Sequence, residues 1–523
     1  MNVLRQKAGI SYIGVEVPSY IVTAKTIAEH MNTQEAKVRE GLMVNQFRFP
    51  GYSDNFVTMA ANNLYRFIEN AYSTPELRRI VERDGIDAIY FATETSREGS
   101  KAGSALVLEL VEPVLYKEMK SSTGEKRNFL KFVLSQLPYA DILETKLACT
   151  AEAKTVSLVV DAIENNSMKG AIVIGSDIAL YDDSKAKNAE ITQGAASTLL
   201  YITRKPLIME IDHRKVHYNM PSDDFYKSNE HTPHVPSGVG SEVNYVFNIS
   251  SAVEKYEEKF GMPADYYIVG HVPFAKEPVY LAPFLFTHML RRQGKIALLK
   301  EKLGVDEPLY GEKNSRSLMA RAVSDYADSN ATSGIAEWLA NNKQVKDLWS
   351  FHKMLRDKKL PEFEAFKEKI GLNYSLILPS QVGNSYNNSM WVALASLFIY
   401  AKEKKWVVMP SYGSGSGTTV MMGKMLLEPG SDELKKLVDI SSLKRGSELS
   451  VNEYRELHSN MIAKEEHETN GESRIEMDKA LLKGKYDGSL FKLVRYGKDR
   501  KGIYEFNGEQ VRSGPVVISE ETY

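Results

Sequence analysis

Three observations predict an α/β protein built from two similar halves. Short apolar runs alternate with helix-patterned segments, polar residues cluster where the runs end, and the same grammar of strand, helix and polar turn occurs twice along the chain. No short-period repeat is visible, so the doubled grammar is consistent with an ancient duplication. At 523 residues and 43% hydrophobic content the chain can bury a large core.

The elements follow in order. A strand-like Ile10–Val15 opens the first half, Asp87–Thr93 reads as a buried strand, and Lys101–Leu115 as a helix. Cys149 stands where a loop opens a helix whose apolar run is Val156, Leu158, Val159, Val160 and Ile163; Ala171–Gly175 is the next strand. In the second half Asp265–Val269 is a strand ending at His271 and Ser389–Lys402 is a helix. Trp406–Met409 is a strand leading into Gly413-Ser-Gly-Ser-Gly417. From about Arg291 to Gly371 the texture is charged and amphipathic, which reads as a helical surface insertion. Beyond about Pro429 charge rises again, with a helix at Val451–Ala463 and a flexible Glu465–Ser473. A hairpin of Phe491–Tyr496 and Gly502–Phe506 then turns through Gly497–Gly502. The expected domains are therefore 1–205, 206–429 with the 291–371 insertion, and an extension at 430–523.

Composition narrows the classes of function. Lys plus Arg number 66 against 68 Asp plus Glu, which gives no electrostatic case for nucleic acid as the main partner. A single cysteine excludes an intrachain disulfide framework and favours a reducing compartment. The first residues run into a strand without a signal-peptide pattern, and no run of ~18 apolar residues is present. A cytoplasmic protein that does not span a membrane is expected.

Chemistry gathers at the predicted strand and helix ends. A helix N-terminus presents unpaired N–H groups and positive partial charge, which favour a thiolate at Cys149 and suit a nucleophile; the alternative is a small buried hydrophobe. Glu94 emerges after the strand Ile89–Thr93, where α/β proteins gather ligand sites, or else it caps the following helix. His271 ends an apolar strand beside Gly270, as a proton donor to a carbonyl or as a satisfied core histidine. His213 and His217 have helical i,i+4 spacing, and His231 and His234 flank a proline, but neither pair has an evident carboxylate or cysteine companion, so no metal site is expected. The glycine-rich 413–417 segment lacks the Walker lysine and the dinucleotide spacing; it reads as a tight turn whose backbone N–H groups or Ser414 can approach a bound acyl group.

In order along the chain, Val57-Thr-Met-Ala-Ala61, Glu94-Thr-Ser-Arg-Glu-Gly-Ser-Lys-Ala102, Glu144-Thr-Lys-Leu-Ala-Cys149 and Gly175-Ser-Asp-Ile-Ala-Leu-Tyr181 are followed by Asp224-Phe-Tyr-Lys227 and Gly238-Val-Gly-Ser241. Then come Gly270-His-Val-Pro-Phe-Ala-Lys276, Gly383-Asn384-Ser-Tyr386 and Ser411-Tyr-Gly-Ser-Gly415. Together these nine segments, across roughly Gly9 to Leu427, resemble the 3-hydroxy-3-methylglutaryl-CoA synthase family, a branch of the thiolase-like fold. The resemblance implies a layered αβαβα arrangement, no cofactor, and acetyl-CoA and acetoacetyl-CoA as substrates in the mevalonate pathway of isoprenoid synthesis. It implies Cys149 as acyl-carrying nucleophile, Glu94 as the base that forms an enolate, and His271 as the donor to the ketone oxygen. Asp177 and Tyr181 would shape the acyl pocket, Asp224 would orient polar groups or water, Asn384 and Ser414 would contact the acetoacetyl group, and Lys276 would pair with a CoA phosphate. Each also has a plainer role, as a turn cap or an exposed charge. A homodimer is implied, with association with a thiolase as a further expectation. The chain departs from the family in Thr150-Ala-Glu-Ala153, which introduces Glu152 near the site, and in Tyr386-Asn-Asn388. Those departures bear on acceptor identity. The rival readings are a synthase for another β-ketoacyl thioester, including a carrier-protein-bound one, and a non-catalytic scaffold of the same fold.

Overall fold

The computed structural model describes residues 7–51, 53–96, 99–181, 189–222, 224–226, 235–236, 239–305, 335–415, 417–466, 481–485, 488–496 and 502–511. Its centre is a mixed sheet. The strands are β1 (Ala8–Glu16), β2 (Ala88–Ala92), β3 (Asp141–Thr145), β4 (Gly170–Ala179), β5 (Gly194–Arg204), β6 (Met209–Asn219), β7 (Tyr266–Ile268), β8 (Trp406–Gly413), β9 (Gly417–Met425) and β10 (Val438–Asp439). The spatial order is β7-β8-β9-β6-β1-β5-β4-β2-β3, with β10 beside β1.

That order contains the duplication. Outward from the centre run β1-β5-β4-β2 on one side and β6-β9-β8-β7 on the other. The pairings correspond: β2 with β4 and β7 with β8 are parallel, and the four remaining pairs are antiparallel. The halves meet where β1 and β6 run antiparallel, Ala8 opposite Ile211 and Ile10 opposite Met209. β3 extends the first half only. At the equivalent edge of the second half, the Ile268 N–H bonds the Ile370 carbonyl at 2.8 Å.

Helices cover the sheet. They are α1 (Phe56–Ser73), α2 (Gly103–Ser121), α3 (Ala151–Glu164), α4 (Val239–Phe260), α5 (Glu277–Arg292), α6 (Lys343–Asp357), α7 (Pro361–Lys369), α8 (Ser389–Tyr400) and α9 (Val451–Glu466). α1 starts at a capping box in which Asn55 and Thr58 satisfy each other's backbone, and it packs on β1, β4 and β5. α3 touches strands of both halves, and α4 lies against β6, β8 and β9. α8 is buried from Ser389 through Phe398, so its sequence is apolar nearly all round. Among the described residues no helix is long and apolar enough to cross a membrane.

The expected elements recur with shifted bounds, some longer, as at Gly170–Ala179, and some shorter, as at Tyr266–Ile268, and two readings need correction. The 291–371 segment is helical where described, but α6 and α7 bury Val345, Leu348, Phe351, Leu355, Phe363 and Phe366 in the main core, so it is more than a surface insertion; 306–334 lie outside the described residues. A charged outer face made the segment look peripheral, while an apolar stripe one turn away anchors it. His213 and His217 lie on β6, not on a helix. His213 Nδ1 is 3.8 Å from Glu164 and 3.7 Å from Asp212, and His217 bonds Thr419 and Lys154. An i,i+4 pair also shares one face of a strand, so spacing alone was ambiguous. His231 and His234, Glu98, Lys227, Gly238, most of Glu465–Ser473 and the turn at 497–501 are outside the described residues. The hairpin Phe491–Tyr496 with Gly502–Phe506 forms and gains a third strand, Glu509–Val511.

Candidate active site

Two strand ends and two helix starts build the site. β2 and β7 hold equivalent places in the two halves; Glu94 follows the end of β2 and His271 the end of β7. Cys149 lies two residues before α3, and Asn387 lies two residues before α8. Each is preceded by a non-glycine residue in the left-handed region, Ala148 at φ 43° and Tyr386 at φ 49°. That conformation is uncommon outside glycine, and both halves adopt it to turn the next side chain out of the loop. Gly413 lets the β8–β9 hairpin press on the Cys149 loop, for a Cβ there would stand 2.8 Å from the Leu147 carbonyl oxygen.

The Cys149 thiol donates to Glu94 Oε1 at 2.8 Å, and both residues are buried. Burial pushes the thiol well above its ordinary value, and Glu94, Asp177 and Asp224 push the same way. This corrects the thiolate expected from the helix start: nearby carboxylates and desolvation outweigh the helix end. Cys149 holds its proton, and the acceptor for that proton is already in contact with it.

Asp177 positions Glu94. Its Oδ1 accepts from Thr93 Oγ1 at 2.8 Å, the Glu94 N–H at 2.9 Å and Thr95 Oγ1 at 2.9 Å, while Oδ2 accepts from Asn387 Nδ2 at 3.0 Å. Burial raises this carboxyl to about 6 against the pull of those bonds. It is buried under the Glu94 loop and ties that loop to the one before α8.

Beside Cys149 stands an apolar group of Ala179, Tyr181 and Tyr386, with Phe225 packed against it. Phe225 and Tyr386 rings are 5.7 Å apart, edge to face. Asn384 Nδ2 donates to the Tyr181 hydroxyl at 3.2 Å, and its Oδ1 accepts the Tyr386 N–H at 3.0 Å. Asp224 accepts from Ser222, from the Gly415 N–H at 3.0 Å and from the Tyr412 hydroxyl at 2.9 Å. The half-buried Ser414 bonds that same Tyr412 hydroxyl, so Asp224 and Ser414 belong to one network bracing the β8–β9 turn.

His271 is buried, and burial lowers its imidazole to about 3, which leaves the ring neutral. Its Nδ1 meets Ser389 Oγ at 2.6 Å rather than Cys149 or Glu94. Lys276 stands apart at the start of α5. Its ammonium is lowered by burial and by Arg356, Lys367 and Lys359, a cluster of cations with Asp357 in their midst.

Glu152 needs a different reading from the one its position suggested. It is wholly buried, and both its carboxyl oxygens lie within 2.9 Å of Thr198 Oγ1, which is also 2.8 Å from Asn388 Oδ1. Asn388 Oδ1 is an acceptor, because it takes the Thr198 N–H while Nδ2 donates to the Ser385 carbonyl. Three acceptor oxygens around one hydroxyl proton suit a protonated Glu152, and burial raises this carboxyl far above its usual range against the bonds from Thr198 and the Gly175 backbone. Gly175 leaves room for this group; a Cβ there would be 2.2 Å from Glu152 Oε2. Glu152 is thus a neutral pillar under the site, not a charge in it. Phe225, Ser389 and Tyr412 were not singled out from the sequence, and Tyr386 and Asn387 were noted there only as a departure, without these contacts. Only an alignment of the two polar helix starts would have set Asn387 against Cys149.

Among the described residues no group of three or more His, Cys, Asp or Glu is placed to hold a metal ion. Comparison with known proteins gives a consistent set. The family model for the hydroxymethylglutaryl-coenzyme A synthase C terminal matches residues 313–486. The hydroxymethylglutaryl-CoA synthase of Enterococcus faecalis is 22% identical over 453 residues, 85% of this chain and 90% of the relative. Among solved structures, MvaS in complex with 3-hydroxy-3-methylglutaryl coenzyme A aligns with a TM-score of 0.66 at 18% identity, covering 97% of this chain and all of that one. The HMG synthase of the curacin biosynthetic pathway, in complex with an acetyl donor-ACP, aligns with a TM-score of 0.65 at 17% identity, over 96% of this chain and 100% of that one. These likenesses show the fold, the layered thiolase-like α/β arrangement expected from the sequence.

Proposed function

Since the chain belongs to the hydroxymethylglutaryl-CoA synthase family, we propose that it condenses acetyl-CoA with acetoacetyl-CoA and water to 3-hydroxy-3-methylglutaryl-CoA, releasing CoA, in the mevalonate pathway. The observation that carries this reading is the 2.8 Å contact from the Cys149 thiol to Glu94. As Cys149 sulfur attacks the acetyl carbonyl, its proton passes to Glu94, which returns it to the departing CoA sulfur. Glu94, again a carboxylate, takes a proton from the methyl of the acetyl-enzyme, and the enolate carbon attacks the acetoacetyl ketone. Neutral His271 donates to the developing alkoxide, and water then cleaves the Cys149 thioester. Tyr181, Asn384 and the Phe225–Tyr386 wall would hold the acyl groups, and Asp177 and Asp224 would keep the loops in place. The cations around Lys276 would meet CoA phosphate. No cofactor enters this scheme.

The reading extends to assembly and place. A homodimer is supported by β3, whose outer edge is unpaired among the described residues and whose Ile142 and Leu143 are exposed, with Tyr139 and Leu147 beside them. Association with a thiolase, the source of acetoacetyl-CoA, and a cytoplasmic location complete the proposal. A carrier-protein-bound acceptor is the second reading, supported by Tyr386-Asn-Asn388; the likeness to a synthase solved with its acetyl donor on a carrier protein supports carrier-bound substrates only on the donor side. Incubation with acetyl-CoA followed by intact-mass measurement should show one acetyl group on Cys149, which acetoacetyl-CoA then discharges. Discharge by an acetoacetyl carrier protein alone would select the second reading, and absence of any acetyl adduct would reject both.

A further inference from the structure

We propose that Ser389 is a positioning residue that fixes the tautomer of His271, leaving the ring proton on Nε2. Ser389 is the first residue of α8 and is buried, and its Oγ lies 2.6 Å from His271 Nδ1. The same Oγ accepts the Val272 N–H at 3.1 Å. A backbone N–H can only donate, so Val272 occupies an acceptor position and leaves the hydroxyl proton to be placed. The partner open to that proton among the described residues is Nδ1. With a proton on Nδ1 instead, the serine oxygen would accept twice and its own buried proton would face no acceptor. Nδ1 is therefore the acceptor, and a neutral ring in this state carries hydrogen on Nε2.

The surroundings hold that choice. Tyr245 donates its hydroxyl to the His271 carbonyl at 2.7 Å, and the His271 N–H reaches the Pro410 carbonyl at 3.3 Å. The ring packs between Tyr245 and Tyr412. Nε2 has no hydrogen-bond partner among the described residues, so its N–H is kept for a bound group. Ser389 thus makes His271 a fixed donor toward an oxygen that gains negative charge, and Glu94 is left as the base. In the second half of the chain, the end of β7 and the start of α8 supply the donor and its orienter, as the end of β2 and the start of α3 supply the base and the thiol.

This inference rests on the proposed role of His271 but is tested apart from it. Long-range proton–nitrogen NMR of the full chain with ring-labelled histidine, the His271 signals being assigned by their loss in His271→Ala, should show unprotonated Nδ1 and protonated Nε2. Ser389→Ala should move both nitrogens toward averaged tautomers, and Ser389→Thr, which keeps the hydroxyl, should restore the parent pattern. Condensation by Ser389→Ala should fall about 10- to 100-fold, with Cys149 acetylation within about twofold of the parent and condensation regained in Ser389→Thr. A parent spectrum with hydrogen on Nδ1, or an unchanged His271 pattern in a folded Ser389→Ala, overturns the inference. Loss of acetylation in the parent would instead reject the functional reading and leave the tautomer result standing.

Discussion

At Cys149 the reactive group and its proton acceptor are joined in the resting protein. Because burial strips water from the thiolate, the thiol is held above its ordinary value, and the negative charge of Glu94, which opposes formation of a second anion, adds to the effect. Alkylation of Cys149 by iodoacetamide should accordingly rise only above the usual thiol range of pH. Glu94→Gln removes the charge while keeping the shape, so the midpoint of that profile should move down in pH, with condensation reduced by roughly 10²- to 10⁴-fold. A midpoint that stays put or rises would mean that burial alone sets the thiol. Asp177 contributes differently, through the orientation of Glu94 rather than through contact with a reacting atom.

Along α3 the informative group is Glu152, in the first turn after the nucleophile. Its carboxyl is neutral in the fold but ionises in the unfolded chain once pH exceeds the ordinary carboxylate value. Between those two values the unfolded state holds fewer protons, so stability falls as pH rises, by up to about 1.4 kcal/mol per pH unit. Glu152→Gln supplies a donor and an acceptor to Thr198 without a titrating proton. In urea unfolding at pH 5 and pH 8, the variant should gain on the parent toward pH 8; a constant difference would show that Glu152 is ionised in the fold. β5, through Thr198, and the start of α8 share this pillar, which is why one buried acid bears on the loops carrying both Cys149 and Asn387.

For the molecule as a whole, the doubled strand order explains why Glu94 in one half and His271 in the other follow the ends of corresponding strands. It also leaves β3 as an edge with exposed apolar residues. If two copies join there, light scattering on the parent should give twice the chain mass of 58.8 kDa, and Ile142→Lys with Leu143→Lys should give one. A dimer that survives both substitutions would place the interface elsewhere.

Periodicity and punctuation made the element order legible, along with the doubled halves, the hairpin near the C-terminus and the residue types of Cys149, Glu94 and His271. These are local properties, written in spacing and side-chain chemistry. The burial of α6 and α7, the strand under His213 and His217, and the roles of Asn387 and Ser389 were not legible, because each depends on what another segment brings. Sequence determined which groups the protein carries and on which elements; tertiary structure alone decided their protonation. Glu94 reaches Cys149 across 55 residues and Ser389 reaches His271 across 118, and a proton's position is set by such neighbours and by the exclusion of water.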